Sequence, residues 1–169
     1  MVFTSDSFST LSLFCLKRNW NDRKLFLFTD IPFDATWKSI IYFPSKTEPT
    51  IVSKCYNSGK IHGNEKTGGV IGGACQYKSL IEKCYNLGEI SGTGNNAGGI
   101  AGEFGRSSQI FNCYNMNKVT GLNYVGGIAG NSYSSICEIK NCYNIGNISG
   151  TTKLGGILGR NNNSSTITN

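Results

Sequence analysis

The last 119 residues of this 169-residue chain contain no Asp, no Pro and no Trp; all four Asp, all three Pro and both Trp lie before residue 51, and no Gly precedes Gly59. Without Asp, calcium-binding repeats of the Gly-Asp kind are excluded, because each of their units needs its own carboxylates. His62 is the one histidine and has no repeated acidic partner, which argues against a Ser-His-Asp triad. No apolar run is long enough to cross a bilayer, so no membrane span is expected. Gly is abundant at 22 residues but does not recur at every third position, which excludes collagen. Charged residues make up 15%, too few for a disordered acidic or basic tail. No Cys-x-x-Cys pair offers a zinc or redox motif.

The formal charge is +6, yet ten Lys or Arg and five Glu are scattered singly over residues 51–169, with no basic run and no recognition-helix pattern. Nucleic acid is therefore not an expected partner. The apolar stretch from Phe8 to Leu16 is preceded by Asp6 where a signal peptide carries a cation, so it is no convincing export signal.

What is present is a period. Cys-Tyr-Asn occurs at Cys55, Cys84, Cys113 and Cys142, each start 29 residues after the last. Self-similarity at that spacing marks a solenoid or array, in which each unit has an apolar face that a neighbour must cover. Three residues before the cysteines stand Val52, Ile81, Ile110 and Ile139; six after them stand Ile61, Ile90, Val119 and Ile148. A Gly-Gly pair follows, then Val70, Ile100, Ile128 and Ile157. The second copy has one extra residue before its Gly pair and one fewer after it, so changes of length fall in loops. Glycines at several fixed positions per unit would cost a helix about 1 kcal/mol each, whereas short β-branched runs bounded by Gly, Asn, Ser and Thr are strand-and-turn chemistry. The expected fold is all-β: a parallel β-solenoid, or β-helix-like stack, of four 29-residue coils at about 51–79, 80–108, 109–137 and 138–169. Stacked coils bring equivalent residues to about 4.8 Å, so each column becomes a ladder.

Residues 1–50 differ in kind. They hold seven of the nine Phe and read as an irregular N-terminal cap or a poorly ordered leader. The chain ends on Ile167, Thr168 and Asn169, one residue short of the next cysteine position, which reads as a fragment of a longer repeat protein.

The run Asn141-Cys142-Tyr143-Asn144-Ile145-Gly146-Asn147-Ile148-Ser149-Gly150, followed by Leu154-Gly155-Gly156-Ile157-Leu158-Gly159, resembles the GLUG motif repeat. The resemblance covers residues 51–169 and recurs four times in register. That family occurs as tandem copies in bacterial surface and secreted proteins, including the non-catalytic parts of some immunoglobulin A peptidases and adhesin-like proteins. It implies a β-solenoid-like stalk, an extracellular or cell-surface location and no catalytic residues in the repeats.

Each candidate chemistry has a structural counterpart. The repeated cysteines project alike at one-coil spacing, which suits a buried thiol ladder better than a bridge or a metal site; Cys15, Cys75 and Cys137 fall outside that register. Tyr56, Tyr85, Tyr114 and Tyr143 should face outward, as a contact stripe for glycan or protein or as a mutual stack. Asn57, Asn86, Asn115 and Asn144 read as an amide ladder at a corner. Gly92-x-Gly94-x-x-Ala97 imitates a dinucleotide fingerprint but opens no helix. Of the five repeat-region acids, Glu103 is the one to test for hydrolysis.

No catalytic residue, metal or cofactor is expected. The expected role is a non-catalytic stalk or adhesin-like display scaffold joined to neighbouring domains, its binding loops being Asn64 to Thr67, Thr93 to Asn96 and Gly121 to Asn123. The rivals are a carbohydrate-binding or carbohydrate-active β-helix and a piece of a larger secreted peptidase.

Overall fold

The computed structural model describes residues 51–73, 78–134, 136–162 and 165–169, together with the backbone of the strands Leu13–Cys15, Lys24–Leu25 and Leu27–Thr29. Every regular element among these residues is a strand. Residues 51–169 wind into four stacked coils of a parallel β-solenoid.

Each coil contributes one short strand to each of five sheets, except that the first coil reaches the fifth only through a single bridge, and every pairing between coils is parallel. The first sheet runs Lys24–Leu25, Ile51–Ser53, Leu80–Glu82, Gln109–Phe111, Glu138–Lys140, Thr166–Thr168. The second stacks Tyr56–Asn57, Tyr85–Asn86, Tyr114–Asn115 and Tyr143–Asn144, and the third Ile61–Gly63, Ile90–Gly92, Val119–Thr120 and Ile148–Ser149. The fourth holds Thr67–Gly68, Ala97–Gly98, Asn123–Gly126 and Thr152–Gly155; the fifth holds Ala101–Phe104, Ala129–Ser132 and Leu158–Asn161, extended by a bridge from Ile71 to Ala101. In the first coil, Lys24 pairs with Ile51 and Leu25 with Val52, while Leu13–Cys15 and Leu27–Thr29 pair antiparallel. The other residues of 1–50, on which the expectation of a cap or leader falls, lie outside the described residues, as does Cys75.

Register follows the period. Tyr85 pairs with Tyr56 and Tyr114, and Ile110 with Ile81 and Ile139, all 29 apart. After the extra residue of the second coil the offset becomes 30 from Thr67 to Ala97 and 28 from Ala97 to Val125, then returns to 29 by the pair Gln109–Glu138. The insertion is therefore absorbed at one corner and lost at another, leaving the ladders on either side intact.

Two strips of core run along the axis. The larger joins Val52, Ile81, Ile110 and Ile139 to the cysteine column, Ile71, Ile100, Ile128 and Phe104; the smaller joins Ile61, Ile90 and Val119 to Ala97 and Val125. Buried aliphatics of this kind contribute about 1.5–3 kcal/mol each, and only once neighbouring coils cover both faces. Val70 and Ile157 are half-buried; in the first coil the fully buried residue is Ile71, one position on. Cys137, outside the cysteine register, is also buried in the larger strip.

The Gly-Gly pair sits where two stretches of backbone meet. A Cβ on Gly98 would lie 2.0 Å from the Ala101 carbonyl oxygen, and one on Gly99 would lie 2.5 Å from Asn115 Cγ. Neither contact tolerates a side chain, which is why the pair recurs. The opposite device shapes two other corners. Lys54, Lys83, Asn112 and Asn141, each just before a ladder cysteine, and Lys66, Asn96, Tyr124 and Lys153 all have φ between 51° and 64°, the left-handed turn that re-aims the chain.

Candidate functional site

Three columns carry the invariant chemistry of the stack. The Cys55 backbone N–H donates to Cys84 Sγ at 3.4 Å, Cys84 N–H to Cys113 Sγ and Cys113 N–H to Cys142 Sγ at the same distance. Each thiol in turn donates to the carbonyl two residues before it, at 3.4 Å for Cys55, 3.2 Å for Cys84, 3.1 Å for Cys113 and 3.2 Å for Cys142. Cysteine thus fills a core position and supplies an acceptor to a corner N–H that the strand ladder misses. Burial pushes the Cys113 thiol well up, whereas hydrogen bonds with Cys113 and Cys55 favour a Cys84 thiolate. At Cys84 burial and the charge of Glu82 act against those hydrogen bonds, and at Cys142 the hydrogen bond with Cys113 likewise favours the thiolate, so the column alternates in the direction its thiols are pushed.

The asparagines form a continuous amide ladder. Nδ2 of Asn57, Asn86 and Asn115 donates to Oδ1 of the next rung at 2.7, 2.6 and 2.6 Å. The second Nδ2 hydrogen goes to Gly59, Gly88 and Asn117 carbonyls at 2.8, 2.7 and 2.6 Å. Beside this ladder, Tyr56, Tyr85, Tyr114 and Tyr143 stack with ring centroids 5.1, 5.0 and 5.1 Å apart and planes within 8°. Three of these rings are half-buried, and Tyr143 is exposed. Desolvation by its neighbours, then the charges of Tyr85 and Tyr143, push the Tyr114 phenol up.

Carboxylates in this array reach back one coil. Glu82 accepts from Ser53 Oγ at 3.0 Å, Glu138 from Gln109 Nε2 at 3.1 Å, Glu89 faces Lys60 Nζ at 3.6 Å and Glu103 faces Lys66 Nζ at 2.8 Å. The loops of drifting length are laddered too: Asn123 Nδ2 donates to Asn95 Oδ1 at 2.9 Å, and Thr152 Oγ1 to Asn123 Oδ1 at 2.6 Å. His62 Nδ1 stands 3.3 Å from Ser91 Oγ on the surface.

One cluster is not repetitive. Glu103 Oε2 accepts from Asn96 Nδ2 at 3.0 Å and Asn131 Nδ2 at 3.4 Å, while Oε1 holds Lys66. Further along the same rim, Lys153 Nζ and Arg160 Cζ lie 5.2 and 4.8 Å from the Tyr124 ring centroid. The sequence pointed to Glu103 as an isolated acid; its partners Lys66 and Asn96 fall at equivalent positions of two successive corner loops, but nothing in the spacing connects those loops to Glu103.

The class these features define is a ladder-built repeat scaffold. The GLUG motif family model matches residues 121–149, which is one full period and the same family that the repeated columns resemble. Since the other copies lie in register with that one, the motif describes the unit of the stack. No curated protein and no solved structure matches the chain.

Proposed function

We propose that the array is a non-catalytic structural and interaction module of a cell-surface or secreted protein, a stalk that spaces neighbouring domains and displays its tyrosine stripe and corner loops to host glycan or protein. The observation that supports this most is the use of polar side chains. The Asn and Cys columns and the carboxylates of Glu82, Glu89, Glu103 and Glu138 all bind the next or previous coil. Side chains committed to holding coils together suit a rigid spacer, and an aromatic stripe half open to solvent suits contact with sugar rings or a flat protein surface.

The test has two arms. Surface biotinylation of intact source cells should label the protein without lysis; labelling only after lysis would contradict the location. A glycan and host-matrix array should then report binding by the full chain that falls at least tenfold in Tyr85→Ala/Tyr114→Ala. Binding unaltered by that change would remove the stripe from the contact surface.

A further inference from the structure

Lys66 and Asn96 stand on adjacent rungs of one column. Each immediately precedes a member of the pair Thr67–Ala97, and each has left-handed backbone, φ 53° and 64°, so both side chains leave the corner in the same sense. Glu103 bridges them with its two oxygens, Oε1 to Lys66 Nζ at 2.8 Å and Oε2 to Asn96 Nδ2 at 3.0 Å. Asn96 and Glu103 are each only 8% exposed, and Asn96 Oδ1 is buried with no hydrogen-bond partner. The first coil makes room for the arrangement: the residue in register with Glu103 is Gly73, where a Cβ would lie 2.9 Å from Lys66 Cδ.

An amine, a carboxamide and a carboxylate between them are the parts of an acyl transfer: nucleophile, electrophile and proton carrier. We propose that Lys66 and Asn96 become joined by an isopeptide bond, with Glu103 carrying the protons. The Lys66 ammonium gives one proton to Glu103. The Asn96 amide turns over about its terminal torsion, so that Oδ1, the atom left without a partner, takes a hydrogen bond from the protonated carboxyl. The neutral Lys66 amine attacks Asn96 Cγ, forming the new N–C bond, and the Cγ–Nδ2 bond breaks as Glu103 returns its proton to the departing nitrogen. Both protons shed by Lys66 leave with that nitrogen as ammonium, and Glu103 ends as the carboxylate it began. No oxidant, metal or nucleotide enters. The half-exposed Lys66 side of the cluster gives ammonia its way out, while the buried Asn96 and Glu103 keep water from the carbonyl. Such a bond would clamp the first coil to the second at the rim and close a loop of about 30 residues in the unfolded chain.

The experiment is intact-mass spectrometry of the purified full chain after prolonged incubation at neutral pH. The expected result is a mass lower than calculated by one ammonia, with a branched proteolytic peptide joining residues 66 and 96. Glu103→Gln should keep the full mass. Lys66→Arg, which retains the ion pair and therefore the fold, should also keep it, and circular dichroism will verify that both variants are folded. A folded wild-type chain at full mass overturns the proposal. So does an ammonia loss that survives Lys66→Arg, because that marks a succinimide formed within one strand.

Discussion

Replacing Asn115 by Asp exchanges one nitrogen for oxygen at the centre of the amide ladder. In the native stack Asn115 Nδ2 donates to Asn144 Oδ1 and to the Asn117 carbonyl, both at 2.6 Å, and Oδ1 accepts from Asn86 Nδ2 at 2.6 Å. A carboxylate has nothing to donate, so two hydrogen bonds become oxygen–oxygen approaches at a buried site, each costing about 1–3 kcal/mol. The bond from Asn86 strengthens because its acceptor is now charged, which offsets about 1 kcal/mol. A net loss of about 1–5 kcal/mol remains, which for an array of this size lowers the thermal midpoint by on the order of 10 °C. The pH response identifies the cause. Burial raises the folded pKa of the new carboxyl above its ordinary value of about 3.9, so the folded state holds the proton longer and stability falls as pH rises through that window. Acid should therefore rescue the variant relative to wild type, since a protonated carboxyl donates once more. Urea midpoints at pH 4.5 and 7.5 measure it. The control is Asn144→Asp at the half-buried last rung, where Nδ2 donates to Gly146 at 2.9 Å beside solvent; less than half the loss is expected there. Equal losses at the two positions, or no acid rescue at Asn115, would refute the ladder as the source of stability.

Two further outcomes follow from the corners and the columns. Lys83 sits at φ 55° in the column where the third and fourth coils place Asn112 and Asn141, with Asn141 Nδ2 donating to Asn112 Oδ1 at 3.2 Å; Lys83→Asn suits the left-handed backbone, extends that ladder by one rung and should stabilise by about 0.5–1 kcal/mol in chemical denaturation. Alkali should loosen the stack: the Cys113 thiol and the Tyr114 phenol both have folded pKa values raised above 9.0 and 10.0, so the fold retains these protons longer than the unfolded chain. The linkage sign then makes the urea midpoint fall as pH rises from about 9 to 11, and a midpoint that climbs over that range would contradict it.

The fold was legible because it is built from recurrence. A residue repeated at the same offset in four copies must meet itself in the stack, so Cys-Tyr-Asn and the β-branched columns predicted both strand register and neighbour identity. Less was visible wherever a neighbour comes from elsewhere in the coil. The Gly-Gly pair reads from sequence as a turn signal, whereas its physical cause is the approach of Gly98 to the Ala101 carbonyl and of Gly99 to the Asn115 side chain. Cys137 lies off the cysteine register and still joins the larger strip of core, its Sγ donating to the Ser134 carbonyl at 3.4 Å.

Glu103 carries that distinction furthest. Its register partner Asn131 donates to it at 3.4 Å, and Arg160 stands one rung further on; neither repeats the acid, so a column reading assigns it no role. Its further partners come from across the corner: Glu103, on the fifth-sheet strand Ala101–Phe104, faces the residues just before the fourth-sheet strands, and the one-residue offset of the second coil sets Asn96 in register with Lys66. Recurrent columns in a solenoid are constrained by the need to stack, and that constraint accounts for them without any ligand or reaction. Residues that break the recurrence, yet are buried and paired, are free of it; Lys66, Asn96 and Glu103 are such residues, and chemistry beyond support belongs at positions of this kind.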